Sequence, residues 1–104
     1  MTKTIWKYDL PAPAHNPAHG TFTFGLHMPV GAEIVCLDKQ RDEPRLWVLL
    51  NPDITEREHQ NFIVAATGQM VHDATLYIGS WQMEEGAKIW HLFKYVEILE
   101  GKND

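Results

Sequence analysis

Six histidines are the side chains best equipped to do chemistry in this 104-residue chain, because imidazole titrates near neutrality and is a common metal ligand. His15, His19 and His27 fall within 13 residues of one another. The His-x3-His spacing would present two imidazoles on one face of a helix, but Pro17 interrupts the segment and makes it a loop. No neighbouring carboxylate completes a set of two histidines and one carboxylate. His72 and Asp73 are adjacent in a second expected loop. An aspartate can orient an imidazole as a base, yet no serine or cysteine nearby is marked as its nucleophile. Cys36 alternates with Ile34 in an apolar pattern, which predicts a buried, inert thiol. His91 alternates with Ile89, Phe93 and Tyr95, which predicts a core-facing or half-buried sheet position. The glycines are isolated and form no phosphate-binding loop, and the acidic residues lack calcium-loop spacing. The sequence therefore assigns no catalytic residue, no cofactor and no metal site. It leaves His15, His19, His27, His72 and Asp73 as pocket candidates.

The elements that must position these residues follow from a period-two alternation that dominates the chain. Trp6, Tyr8 and Leu10 share one face of a first strand. After the proline-rich stretch 11–20, which cannot pair within a sheet, Phe22, Phe24 and Leu26 mark a second. Residues 32–37 form a third strand and a charged hairpin connection follows at 38–44. The apolar run 46–50 reads as a central strand buried on both faces, stopped by Asn51-Pro52-Asp53. Thr55–Glu58 has the form of a helix capping box. It would have to lead into the β-rich run Phe62-Ile63-Val64, so a strand over 59–66 is the preferred reading. Strands over 75–82 and 88–96 complete seven. Short strands joined by Pro, Gly, Asn and Asp turns predict an all-β chain, a seven-stranded, mainly antiparallel β-sandwich or small barrel. Residues 1–99 make a single β domain, with 100–104 a frayed tail.

Aromatic side chains make up 11% of the chain, four of them Trp, and strict alternation cannot place all of them on one inner face. Trp47 and Trp90 oppose the faces set by Val48 and by His91 with Phe93. Because Trp, Tyr and Arg are enriched at the centres of protein interfaces, Trp47, Trp81, Trp90, Tyr77 and Arg45 are the candidate interface residues. The net charge of −5 argues against nucleic acid and anionic membrane as partners, since both require a basic footprint. One cysteine cannot form an internal disulfide. The N-terminus lacks the apolar core of a secretory signal, and no window approaches a membrane span. A cytoplasmic protein is expected.

Several motifs recur in a familiar order: Thr4-Ile-Trp-Lys-Tyr8, Pro29-Val-Gly-Ala-Glu-Ile34, Leu46-Trp47 leading to Asn51-Pro-Asp53, Thr67-Gly68, Tyr77-Ile-Gly-Ser80 and Trp90-His-Leu-Phe93. Over nearly its whole length the chain resembles a family of short uncharacterised phage and prophage proteins, a domain of unknown function. Two departures are the longer loop at 11–20 and the absence of Gly-His-Pro after Thr67-Gly68. The resemblance carries no catalytic residues. It implies a small accessory product acting in the infected bacterial cytoplasm, of the kind that binds and inhibits host or defence proteins. A non-catalytic binding module, homo-oligomeric, is the expected function. The alternatives are a small-molecule or metal-binding protein or enzyme, with its site at the histidine-containing loops, and a minor virion component.

Overall fold

The computed structural model describes residues 2–11, 20–83 and 88–96. Seven strands are present: β1 (Thr4–Asp9), β2 (Thr21–Pro29), β3 (Glu33–Gln40), β4 (Glu43–Leu50), β5 (Arg57–Ala66), β6 (Thr75–Met83) and β7 (Lys88–Tyr95). They form a three-stranded sheet, β1-β4-β3, and a four-stranded sheet, β2-β5-β7-β6, antiparallel throughout. The two sheets pack as a sandwich and do not close into a barrel. No helix among the described residues is long and apolar enough to cross a membrane. Residues 57–66 are strand, so the β-branched and aromatic run Phe62-Ile63-Val64 prevails over the Thr55–Glu58 capping signal. The tail 100–104 lies outside the described residues.

Turn chemistry sets the connections. Arg41 and Asp42 both adopt positive φ, 54° and 66°, and link Gln40 to Glu43, which face each other across the β3–β4 hairpin. That is the primed two-residue turn whose twist matches antiparallel strands. Gly31, at φ 86°, turns the chain between β2 and β3 where a side chain would be strained.

The core is built from alternate residues of both sheets. Leu46, Val48 and Leu50 of β4 meet Met28, Phe62, Val64, Trp81, Trp90 and Leu92 of the opposite sheet. Phe24 stacks on Phe62 with ring centroids 5.2 Å apart. Strand β4 is central, as its composition predicts, but only its inner residues are buried. Arg45, Trp47 and Leu49 are half-buried on the outer face.

Two β-bulges explain why Cys36 and Trp81 do not lie where the sequence places them, and the phase of β7 does the same for Trp90. In β3 the register shifts between Ile34 and Cys36. The extra residue, Val35, reverses the alternation, so Ile34 packs against the core while Cys36 is exposed opposite Trp47. The buried thiol predicted for Cys36 is therefore not found. In β6 the shift falls between Tyr77 and Gly79. Tyr77 consequently points out, at 56% exposure, and Trp81 points in, at 4%. Trp90 pairs with Trp81 and is also core. These two tryptophans are not surface residues, because the inner face of β7 is the one carrying Trp90 and Leu92. His91 lies on the outer face, half-buried rather than core-facing.

Phe62 is fully buried at the centre of the core. Replacement by Ala should therefore cost about 3–5 kcal/mol through lost burial and the cavity left behind, read as a fall in the denaturant midpoint at unchanged slope.

Candidate functional site

The outer face of the four-stranded sheet carries the chemistry. Register places Thr23, Ile63, Phe93 and Tyr77 in one row, and Thr21, Ala65, His91 and Ser80 in the next. Tyr77 meets Phe93 edge-to-face at 5.2 Å. His91 is held at both ring nitrogens, with Thr67 Oγ1 2.8 Å from Nε2 and Tyr77 Oη 3.0 Å from Nδ1. Hydroxyls donate or accept, so either tautomer satisfies this arrangement. Thr67 begins the β5–β6 connection, which lies against this face. Thr67, Gly68, Gln69 and Val71 wall a cleft of about 200 Å³ against Ala65, His91 and Phe93. His91 thus fastens the connection to the sheet.

A second imidazole group stands further along the same face. His27 and His59 are directly opposed across β2 and β5. His59 Nδ1 lies 3.1 Å from His27 Nε2, and His59 Nε2 lies 2.9 Å from Asn61 Oδ1. An amide oxygen only accepts, so His59 Nε2 carries the hydrogen and donates it. Both histidines are exposed. Among the described residues no group of three or more His, Cys, Asp or Glu is placed to hold a metal.

Beyond the β5–β7 pairing, residues 58–61 of β5 have no strand neighbour on that side among the described residues. A depression of about 590 Å³ opens there, lined by Glu58, His59, Gln60, Asn61, Leu76, Lys94, Tyr95 and Val96. Gln60 is only 6% exposed, and its Oε1 has no hydrogen-bond partner among the described residues. Leu76 and Val96 also line a neighbouring hollow of about 520 Å³ with His72 and Asp73. His72 Nδ1 accepts the Ala74 amide hydrogen at 2.9 Å, and its carbonyl accepts from the Thr75 hydroxyl. That imidazole stabilises its own turn and is not aligned by Asp73 as a catalytic base.

The outer face of the three-stranded sheet is different in character. Ile5 pairs with Leu49, and Trp47 stands between Lys7 and Cys36. Ile5 and Val35 are about half exposed, at 54% and 52%. Arg45 is committed within the chain: Nε lies 3.2 Å from Asp9 Oδ1, and Nη1 donates to Glu43 Oε1 at 3.0 Å. Where β1 and β5 approach each other, the Arg57 guanidinium lies 6.0 Å from the Trp6 ring centre. Burial raises the Tyr8 phenol above its ordinary value, with Arg57 pulling in the opposite sense.

Of the predicted pocket candidates, His27 joins the His59 pair, and His72 with Asp73 reaches a separate hollow. His15 and His19 lie outside the described residues. Of the interface candidates, Trp47 and Tyr77 are on outer faces, Arg45 is half-buried and ion-paired, and Trp81 and Trp90 are core. Sequence reasoning missed His59, Asn61 and Gln60. Only the pairing of β2 with β5 brings the two imidazoles together.

The chain belongs to a family defined as a domain of unknown function, DUF7352, whose family model matches residues 1–100. No curated protein and no solved structure matches it.

The orphaned Gln60 acceptor carries a stability prediction. A buried oxygen without a donor costs free energy that an apolar side chain does not. Gln60→Leu should therefore raise stability by about 1 kcal/mol, read from denaturant unfolding of the two proteins side by side.

Proposed function

We propose that this member of the family works by non-covalent binding of a protein, without catalysis. Its setting is that of a small phage accessory product acting on a host or defence protein in the bacterial cytoplasm. The observation that carries this reading is the apolar band on the three-stranded sheet, which no described residue covers. Ile5, Leu49, Trp47, Val35 and Cys36 lie together there, flanked by the Lys3–Glu33 and Arg45–Asp9 ion pairs. An apolar centre with a charged rim is the anatomy of a protein interface. Trp47 in the middle is the residue type that most often anchors one. The net charge of −5 favours encounter with a partner whose own apolar patch is set in a basic surface.

Homo-oligomerisation is part of the same proposal. Leu76 and Tyr77, 60% and 56% exposed, lie on β6, an edge strand of the four-stranded sheet. An uncovered apolar pair on an edge suits pairing with a second copy.

Ile5→Glu combined with Val35→Glu tests the reading, because both side chains are solvent-facing and their replacement should leave thermal unfolding nearly unchanged. Burying two carboxylates in an apolar contact should weaken capture of the host protein at least about tenfold. Native mass spectrometry of the parent chain should show an oligomer. A strict monomer that retrieves the same bacterial proteins with and without the two substitutions would overturn the proposal.

A further inference from the structure

We propose that His27 and His59 form a two-histidine site for a divalent transition-metal ion, of the class of Zn²⁺, Ni²⁺ or Cu²⁺. Three observations converge on it. First, His59 Nδ1 and His27 Nε2 are 3.1 Å apart. Two imidazole nitrogens bound to one ion at ~2.0–2.1 Å each, at angles between a right angle and the tetrahedral value, are separated by roughly 2.9–3.4 Å. The pair already stands at chelating distance.

Second, Asn61 Oδ1 accepts the hydrogen from His59 Nε2 at 2.9 Å. This fixes the tautomer that leaves a lone pair on Nδ1, the atom facing His27. Metal-bound histidines characteristically have such an outer partner, which sets both ring orientation and basicity. Third, the His59 ring lies in a slot provided by Gly25. A Cβ built on Gly25 would stand 2.4 Å from His59 Cε1 and 2.6 Å from Nε2. Strand β2 therefore lacks a side chain where the imidazole rests.

In the metal-free protein one hydrogen bridges the two rings, donated by His27 Nε2 to His59 Nδ1. The ion takes the place of that hydrogen. His27 moves its proton to Nδ1, and rotation of its exposed ring brings both lone pairs onto the ion. Water fills the remaining positions on the solvent side, where both residues are exposed. Imidazole donors select borderline transition metals over Ca²⁺ and Mg²⁺. The other described histidines are engaged elsewhere: His91 at both nitrogens, and His72 with the Ala74 amide.

The test is a titration of the full, metal-free chain with ZnCl₂, followed through the imidazole ¹⁵N resonances and by calorimetry. His27 Nε2 and His59 Nδ1 should shift together and saturate at one equivalent. His27→Gln and His59→Gln should each weaken Zn²⁺ binding at least about tenfold, since either leaves a single ligand. Asn61→Leu, which removes a positioning residue, should weaken it about 10–100-fold, with thermal unfolding of the metal-free protein unchanged. Binding should also fall at acidic pH, because the ligands must be unprotonated. Unchanged affinity in both histidine variants, or shifts arising first at His15, His19 or His72, would overturn the proposal.

Discussion

The sandwich depends on two β-bulges that reverse the side-chain alternation of β3 and β6. These are the strands through which the two sheets approach each other, and their irregularities fall on facing stretches. After Val35, the inward position passes to Leu37; after Ile78, it passes to Gly79 and then Trp81. Gly79 lies against Leu37, where an added Cβ would come within 3.2 Å of the leucine side chain. Without the β6 shift, Trp81 would share the outward phase of Tyr77 and leave the largest apolar side chain of its strand in water. Burying a residue of that size removes on the order of 200 Å² from solvent, so the bulge is what lets β6 contribute to the core.

The same shift divides the functional surfaces. With Trp81 and Trp90 inside, the outer face of the four-stranded sheet is left to Tyr77, Phe93, Ile63 and the imidazoles. The β5–β6 connection lies against part of that face beside Ala65, while Ile63 sits between Thr23 and Phe93; both are buried although they point away from the core. Among the described residues the three-stranded sheet has no comparable cover over Ile5 and Val35. One face therefore presents hydrogen-bonded polar chemistry and the other presents apolar area.

Much of this order is legible in the residues themselves. Alternation marks all seven strands, and Asn51-Pro52 and Gly31 mark their ends, because these signals depend on local backbone preferences. The bulges are not legible: one additional residue changes the phase without altering composition, so neither the exposure of Cys36 nor the burial of Trp81 follows from alternation. Nor is the His27–His59 pair. The two residues lie 32 positions apart, and only a particular β2–β5 register opposes them. The Thr55–Glu58 signal is real at the level of motif, but a capping box needs an amphipathic helix behind it and Phe62-Ile63-Val64 does not supply one.

The strand order also bears on how the chain reaches this state. Only β3–β4 and β6–β7 join neighbours in sequence; β1–β4, β2–β5 and β5–β7 each pair strands separated by at least one other. The two hairpins can close early from local contacts, whereas β5 must wait for partners on both sides. Its buried run from Phe62 to Ala65, together with β2, whose single strand neighbour among the described residues is β5, depends on these distant pairings for shelter. A topology so rich in distant pairings folds slowly, and until they form the apolar run of β5 is open to intermolecular pairing.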